Sequence, residues 1–288
     1  MIRHAVLLYA AGALAAFAQQ PTITNADMRP ASAANGLEPA LRAAAGAAGG
    51  PVWVGYAEPA IPGDYNNGCC WSDSGRGCGL EGDRVVVASN ATPATPVRLE
   101  GPSHVVVLMR YEKGVAEKLR VFSPDCPLDA GGLPFYWLSN VKPAESIAML
   151  TAWHEMRRES GARGGGTDAA VHAIALHAGP EAEAALTKFA NASTSEQTRR
   201  SALFWLARSR GKTGYDVVAK TATSDESDKV REHAVYALTQ SKQPEAIPTV
   251  IRIAREDKSP SVRKQAMFWL GRSHDRRAVE FFEQVLSK

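Results

Sequence analysis

Four cysteines carry the most distinctive side-chain chemistry in this chain of 288 residues. They are Cys69, Cys70, Cys78 and Cys126, and all lie in the N-terminal half. Adjacent cysteines rarely bond each other, because a bridge between neighbours closes a strained ring. We therefore expect one disulfide within the loop to Cys78 and one across to Cys126. A zinc site and free thiols are the alternatives, although zinc ribbons usually present two C-x2-C pairs and this spacing has neither.

Two acidic residues in the same half, Asp125 and Asp129, could bind a small ligand. Their segment, residues 123–132, also has the composition of an ordered turn, because Gly131 and Gly132 adopt backbone conformations that other residues resist. The sequence contains no nucleophile-elbow, HExxH or phosphate-loop motif. We predict no catalytic residue, no cofactor and no metal ligand, and we favour a role other than catalysis.

The C-terminal part repeats itself with a step of 32 residues, and several columns of this alignment agree in residue type. The columns are Ala170, Ala202, Ala234 and Ala266; Val171, Leu203, Val235 and Met267; His172, Phe204, Tyr236 and Phe268; and Ile174, Leu206, Leu238 and Leu270. One helix pair cannot bury its own apolar face, whereas stacked pairs can. The repeat therefore predicts four stacked two-helix units.

Each unit has the pattern of two helices joined by a polar break. The first helix, for example residues 230–240, is apolar on more than one face, so we expect it to be covered on both sides. Breaks are predicted at residues 209–212 and 273–275, and second helices near Pro180, Pro244 and Arg276. The paired aromatic residues in two of the first helices then indicate core packing. They are Phe204, Trp205, Phe268 and Trp269.

The repeated unit resembles HEAT repeats, in the compact form of phycobilisome-lyase-like proteins. An acid is followed six residues later by an arginine, and then by Ala and Leu, in two units: Asp225, Arg231, Ala234 and Leu238, and Asp257, Arg263, Ala266 and Leu270. The second unit keeps Arg199, and the first is degenerate or a cap. The resemblance implies that Asp225, Arg231, Asp257 and Arg263 tie one unit's turn to the next.

Some HEAT-repeat proteins are enzymes with a diiron centre, whose ligands are His-Glu pairs that recur on the repeat helices. In this chain the His154-Glu155 pair lies outside the four units, and Glu232-His233 has the reversed order. A diiron centre needs several converging ligands. The resemblance therefore does not extend to that activity.

A column of the second helices contains Lys188, Lys220 and Arg252, followed by Gln284. Second helices commonly line the concave face of HEAT solenoids, so the resemblance implies a short basic partner-binding surface. The alternative is an ordinary solvated face, in which Asp216 partly neutralises Lys220.

The N-terminal half has short β-branched and aromatic runs separated by Gly and Pro, which is typical of strands. Strands are predicted at residues 52–56, 84–88, 96–99, 104–110 and 118–122. A hairpin turn is expected at Lys113-Gly114, and helices are expected at residues 37–48 and 143–158. The glycine-rich residues 161–166 indicate a linker.

The first 18 residues have the basic start, apolar stretch and small-residue ending of a secretory signal peptide, with cleavage near Ala18. An uncleaved N-terminal anchor is the alternative. The net charge of +3 is too small to indicate a nucleic-acid or membrane-surface partner.

These features predict an α-solenoid, a HEAT-type superhelix of about four helix pairs, preceded by a small α+β domain with disulfides. The expected domains are a signal peptide at 1–18, the α+β domain at 19–141, a capping helix and linker at 142–166, and the solenoid at 167–288. The expected protein is a secreted or periplasmic, non-enzymatic scaffold or adaptor that binds a protein partner, without nucleic acid and without stable membrane insertion after cleavage. The alternative is an enzyme or small-ligand-binding protein whose site lies in the cysteine-containing domain, with the solenoid as a docking arm.

Overall fold

The computed structural model describes residues 20–63, 69–72, 75–82, 103–160 and 166–287. The predicted signal peptide, the predicted strands at 84–88 and 96–99, and residues 161–165 of the predicted linker lie outside this part of the chain. The chain divides into two compact units, Met1–Met149 with Leu176–Ala178, and Leu150–Ala175 with Gly179–Lys288. The domain boundaries at 141 and 166 stay predictions.

The first unit contains the strands. Among the described residues they are β1 (Ile23–Thr24), β2 (Asp27–Ser32), β3 (Val52–Pro59), β4 (Trp71–Ser72), β5 (Gly75–Arg76), β6 (Cys78–Gly79), β7 (His104–Glu112), β8 (Val115–Phe122), β9 (Leu128–Asp129) and β10 (Pro134–Ser139). A five-stranded sheet has the order β2-β10-β3-β7-β8, a three-stranded sheet has the order β1-β9-β6, and β4 pairs with β5. In the large sheet β2, β10 and β3 are parallel, whereas β3, β7 and β8 are antiparallel neighbours.

The predicted strands that fall on described residues, at 52–56, 104–110 and 118–122, are confirmed and each is longer than predicted. The hairpin turn between β7 and β8 is also where the sequence predicted it. Lys113 and Gly114 have φ angles of 51° and 78° there, the left-handed pair that a two-residue hairpin turn needs. Strand β2, which contains Pro30, was not predicted from the sequence. The sheet tolerates this proline since β2 is an edge strand.

Two helices belong wholly or in part to this unit, α1 (Leu37–Ala47) and the first turns of α2 (Pro143–Glu159). Both begin at the residue that the sequence predicted. Helix α1 packs against β3 with a stripe of four buried residues, Leu37, Leu41, Ala44 and Ala45. The other face of the sheet belongs to a core that includes Trp53, Leu108 and Phe135 together with three cysteines.

The second unit consists of helices. After the end of α2 they are α3 (Gly166–Leu176), α4 (Pro180–Ala192), α5 (Glu196–Ser209), α6 (Gly211–Ser224), α7 (Asp228–Thr239), α8 (Ala246–Glu256), α9 (Pro260–Arg272) and α10 (Arg276–Leu286). From α4 to α10 each helix packs against the next one, so the predicted helical repeat region is present. The count of four units, with α3 and α4 as the first, stays a prediction. The predicted starts at Pro180 and Arg276 are confirmed, whereas α8 begins two residues after Pro244.

The alanine column and the Ile/Leu column of the alignment form the core of the stacked helices. All eight of these side chains are at most 1% exposed: Ala170, Ala202, Ala234, Ala266, Ile174, Leu206, Leu238 and Leu270. The other columns are covered less completely in the last pair, where Met267 and Phe268 are exposed. The predicted break at residues 209–212 is shorter than expected. Helix α6 begins at Gly211, so a single residue, Arg210, separates it from the end of α5.

A close helix contact explains Gly214 in the first turns of α6. A Cβ atom at this position would lie 2.1 Å from the backbone oxygen of Leu206 in α5. Such a distance is far inside van der Waals contact, so only glycine permits this tight junction. None of the helices among the described residues is both long and apolar enough to cross a membrane.

Candidate functional site

The four cysteines lie in two pairs at disulfide-bond distance. The Sγ atoms of Cys69 and Cys126 are 2.17 Å apart, and those of Cys70 and Cys78 are 2.13 Å apart. Each of the two adjacent cysteines thus has a different and more distant partner. The sulfur atoms of Cys69, Cys78 and Cys126 also lie within 4.8 Å of one another, so a metal could compete for them only after reduction of the pairs.

The two acids of the segment 123–132 have the contacts of turn residues. Asp129 accepts hydrogen bonds from Asn25 Nδ2 at 2.7 Å and from the backbone N–H of Gly131 at 2.8 Å. Asp125 accepts from the hydroxyl of Ser123. Gly131 and Gly132 both have positive φ angles, 66° and 83°, as the turn prediction required. These carboxylates therefore serve the turn rather than converge on a ligand.

The His154-Glu155 pair on α2 does not act as a unit. The Nε2 atom of His154 is 3.2 Å from the hydroxyl oxygen of Thr198, and its ring lies 4.9 Å from the ring of Phe189. Glu155 instead accepts a hydrogen bond from Arg158. The two side chains thus point to different partners within the helical unit.

Arginine and aspartate side chains connect successive helix pairs. Arg231, which is fully buried, donates from Nε to Asp257 at 3.2 Å and from Nη1 to the backbone oxygen of Asp225 at 2.7 Å. Arg263 donates in the same way to the backbone oxygen of Asp257 at 2.7 Å. One pair earlier, Arg199 forms an ion pair with Asp225. Each of these aspartates therefore meets the arginine of its own unit through its backbone oxygen, and the arginine of the preceding unit through its carboxylate.

The predicted basic column on the second helices is at the surface. Lys188, Lys220 and Arg252 are all exposed. The sequence offered Asp216 as a residue that partly neutralises Lys220. In the structure Asp216 instead forms an ion pair with Lys212, one turn earlier in α6. The column thus stays a candidate surface. Lys220 lines a cavity of about 390 Å³ together with Asp225 and Glu226, and neither Lys188 nor Arg252 belongs to that lining.

The first helices carry a different surface, which sequence reasoning misassigned. We call it the aromatic face, and its members are His172, Phe204, Trp205, Tyr236, Phe268 and Trp269. Their rings contact one another across units: His172 stacks on Trp205 at 4.8 Å, Phe204 lies parallel to Tyr236 at 6.0 Å, and Tyr236 lies 4.5 Å from Trp269. The interpretation of the paired aromatic residues as buried core packing is therefore wrong. They are half-buried, and Phe268 is 52% exposed.

An open cavity of about 520 Å³ lies on the aromatic face. Its lining combines four of the rings with polar side chains: Ala169, His172, Gln197, Arg200, Ser201, Phe204, Trp205, His233 and Tyr236. Two buried polar atoms in this lining, Arg200 Nε and His233 Nε2, have no hydrogen-bond partner among the described residues. Buried polar atoms normally have partners, so this cavity has unused capacity for recognition.

Of the two histidines that line this cavity, His233 is held neutral. Burial, followed by the charge of Arg200, lowers the pKa of His233 to about 4, against a hydrogen bond to the backbone of Arg200 that raises it. Burial also lowers the pKa of His172. The permanent positive charge of the cavity is thus the guanidinium of Arg200.

A further cavity, of about 230 Å³, lies in the first unit at the ends of β3 and β10. It is lined by Ala57, Glu58, Pro59, His104, Trp137, Leu138, Ser139, Asn140, Val141 and Pro143. Glu58 is 2% exposed, and its Oε1 has no hydrogen-bond partner among the described residues. Burial raises the pKa of Glu58 to about 7.

A chain of buried hydroxyl and imidazole groups begins at Tyr56, two positions before Glu58 on β3. The hydroxyl of Tyr56 is 2.8 Å from Ser146 Oγ, which is 2.8 Å from His177 Nε2. Burial raises the pKa of Tyr56, and the charge of Glu58 raises it further. The sequence did carry a signal for Glu58, since it is an acid within the otherwise apolar strand segment VWVGYAEP. His104, Ser139 and Asn140 carried none.

Comparison with known proteins bears on the helical unit. A family model described as HEAT repeats matches residues 183–266 and, in an overlapping match, residues 215–288. The solved structure of human deoxyhypusine hydroxylase in complex with glycerol is similar over 48% of this chain and 43% of that chain, with 18% identity and a TM-score of 0.34. The complex of CpcE and CpcF of phycocyanin lyase from a Nostoc species is similar over 44% of this chain and 89% of that chain, with 15% identity and a TM-score of 0.31. The chain thus spans less than half of the hydroxylase that it matches, and no curated protein matches its sequence.

Proposed function

From the premise that residues 183–288 are HEAT repeats, which typically mediate protein interactions, we propose that this protein is an exported, non-enzymatic adaptor. Its partner is a protein with an acidic, extended segment, and the segment binds along the aromatic face. The observation that carries the proposal is the open cavity of about 520 Å³. In its lining, Arg200 Nε and His233 Nε2 have no hydrogen-bond partner among the described residues, and they lie beside half-buried aromatic rings. Aromatic side chains and arginine are the residue types that contribute most to binding energy in protein interfaces.

The charge of the surrounding surface supports an acidic partner. The cavity residues 197, 200, 201, 204 and 205 define five columns of the repeat. In the last three units these columns contain three cations, Arg200, Lys229 and Lys264, and one carboxylate, Glu232. Complementary charge favours encounter with an acidic segment and discriminates against basic ones.

The packing of the second unit supports a surface on the first helices. The first helices, α5, α7 and α9, pack extensively against one another. The second helices, α6, α8 and α10, have fewer such contacts among themselves. In a curved stack the more tightly packed layer lies on the inner side. We therefore propose a four-unit solenoid, its first unit degenerate, in which the aromatic face forms the inner side. The family resemblance had instead implied that the basic column lies there.

Export is supported by two features. Residues 1–18 have the sequence pattern of a signal peptide, and the four cysteines lie in two pairs at disulfide-bond distance. Such pairs are compatible with an oxidising compartment, because the cytosol keeps most thiols reduced. We propose a secreted or periplasmic location on these grounds.

A peptide-binding measurement with the full mature chain tests the proposal. The probe is a fluorescein-labelled peptide in which aspartates alternate with phenylalanine and proline, followed by fluorescence anisotropy at low ionic strength. We expect Arg200→Glu with Lys264→Glu, and separately Phe268→Ser, to weaken binding about tenfold or more, since each removes charge or ring contact worth about 1.4 kcal/mol or more. Because these side chains are not core residues, the melting temperature should stay within a few degrees of wild type.

The basic column provides the matched control. Lys220→Glu with Arg252→Glu makes the same change of charge on the second helices, and we expect it to weaken binding less than twofold. The reverse result, loss of binding in this variant alone, would transfer the partner site to the basic column. Equal binding of a peptide with lysines in place of the aspartates, or equal competition by a single-stranded oligonucleotide, would overturn the acidic protein segment as the ligand.

A further inference from the structure

We propose that the cavity at the ends of β3 and β10 binds a small organic cation with a primary ammonium group, and that Glu58 is its counter-ion. This site lies wholly in the first unit and is independent of the HEAT repeats. Its failure would therefore leave the proposed adaptor function untouched.

The carboxyl group of Glu58 is buried, but among the described residues one of its oxygen atoms lacks the hydrogen bond that a buried carboxyl group ordinarily accepts. It is 2% exposed, yet its Oε1 has no hydrogen-bond donor among the described residues. A buried polar atom without a partner is costly, and native structures retain one mainly where it serves a ligand, a water or a chemical step. The side chain also stands near the end of the register between β3 and β7, opposite the fully buried Val105, where a valine would pack more favourably.

The rest of the lining selects a hydrogen-bond donor with positive charge. None of the described residues that line the cavity is Lys or Arg, so an anion would find no counter-charge there. The Nδ2 atom of Asn140 donates to Ser32 Oγ at 3.2 Å and to Ser139 Oγ at 3.4 Å. Its Oδ1 is thereby left as an acceptor, which an ammonium group can use as a second contact.

The neighbouring titratable groups do not oppose a cation. Burial lowers the pKa of His104, which keeps its imidazole neutral near pH 7. On β3 itself the pKa of Tyr56 is raised, so its phenol also stays neutral. Glu58 is consequently the group that responds to an incoming charge.

The size of the cavity limits the ligand. Its volume of about 230 Å³ is below the roughly 300–1,000 Å³ of ordinary small-molecule sites. The cavity therefore suits a compact amine of a few heavy atoms, or the terminal amine of a longer molecule whose remainder lies outside.

The coupling of the ligand to the proton on Glu58 gives a specific readout. Burial raises the pKa of this carboxyl group to about 7, so near pH 6.5 most molecules carry the proton. An ammonium ion stabilises the carboxylate and expels that proton. Binding should then release up to one proton per ligand, which a merely structural glutamate would not do.

Isothermal titration calorimetry of the full mature chain at pH 6.5 tests this. The titrants are ethylamine and ethanolamine, each measured in two buffers that differ in ionisation enthalpy, with ethylene glycol as the uncharged comparison. We expect both amines to bind with proton release, ethylene glycol to give no binding heat, and Glu58→Gln to weaken the amines at least tenfold. Glu117→Gln, which neutralises an exposed carboxylate on β8, should bind as wild type does.

A second variant separates binding from folding. Asn140 has a φ of 57°, so Asn140→Gly keeps the backbone conformation while it removes the acceptor, and we expect about threefold to tenfold weaker binding. Absence of binding by both amines at millimolar concentration would overturn the site. So would binding without proton release, equal binding by ethylene glycol, or unchanged affinity in the Glu58→Gln protein.

Discussion

At the scale of single residues, the buried carboxyl group of Glu58 makes the stability of this protein depend on pH. Its pKa is about 7 in the folded chain and 4.5 in the reference state, with burial as the cause. Because the folded-state value is the higher one, the contribution of the protonated group is fully present below about pH 4.5. It is lost as the pH rises through 7, and the difference corresponds to roughly 3 kcal/mol.

The variant Glu58→Gln should remove this dependence. We expect it to be increasingly more stable than wild type as the pH rises from 5 to 8.5, with a gain that approaches about 3 kcal/mol at the upper end. Urea unfolding at several pH values measures the difference, in amine-free buffers because amines are the proposed ligands. Groups shared by the two proteins, including His104, cancel in the comparison. A difference between the two proteins that stays constant with pH would contradict the raised pKa of Glu58.

Residue chemistry was predictable where it depended on local sequence. The turn at Gly131 and Gly132 followed from backbone preferences, and the spacing of the cysteines indicated one near and one distant pair. The cavity around Glu58 was not predictable, because Asn140 and His104 reach it only through the pairing of strands that are far apart in the chain. A single acidic residue in an apolar strand indicates a special role for that residue, but it does not predict which residues lie around it.

At the scale of helices, the junction between the third and fourth units depends on Arg231. Its side chain is 0% exposed, and that of its partner Asp257 is 5% exposed. Asp228 contributes a second carboxylate at 2.7 Å. Removal of one partner of a buried ion pair leaves an uncompensated charge, which typically costs about 3–5 kcal/mol.

The variant Arg231→Met should therefore lower the free energy of unfolding by about 3–5 kcal/mol. Arg263→Met is the matched control, because Arg263 donates to the backbone oxygen of Asp257 and is only half-buried; we expect it to cost about 1 kcal/mol. Urea unfolding of both variants and of Asp257→Asn, alone and combined with Arg231→Met, measures the coupling in a double-mutant cycle. Equal losses in the two arginine variants, or zero coupling between Arg231 and Asp257, would contradict this role.

The repeat columns predicted which helices form and which of their faces are buried, but not what the remaining face does. Alanine and leucine at fixed spacing identify a core directly, since few other environments favour them. Phe204 and Trp205 are ambiguous, because aromatic residues serve both cores and interfaces. Only the stacked helices show that these rings leave an open cavity on the first helices.

At the scale of the whole molecule, the first unit depends on contacts between distant segments. Strand β2 pairs in parallel with β10, and their partners are more than a hundred positions apart, as in Met28 and Phe135. Local pattern cannot specify such pairing, which explains why the sequence predicted the hairpin β7-β8 but not this sheet order. The helical unit is the opposite case, because its contacts join neighbouring repeats and therefore follow the period.

The cysteine pairs should stabilise this non-local unit to different degrees. Cys69 and Cys126 are 57 residues apart, and Cys70 and Cys78 are 8 apart. A crosslink that closes a longer loop removes more entropy from the unfolded chain, so the loop-closure model assigns about 4 kcal/mol to the first pair and about 2.5 kcal/mol to the second. We expect Cys69→Ala with Cys126→Ala to lower stability by the larger amount, with Cys70→Ala and Cys78→Ala as the matched variant.

Hydrogen exchange followed by mass spectrometry locates the loss, which should appear in β3, β7 and β10 while peptides from residues 183–288 keep their protection. A reversed order of the two variants, or an equal loss of protection in the HEAT repeats, would contradict the assignment of this stabilisation to the first unit.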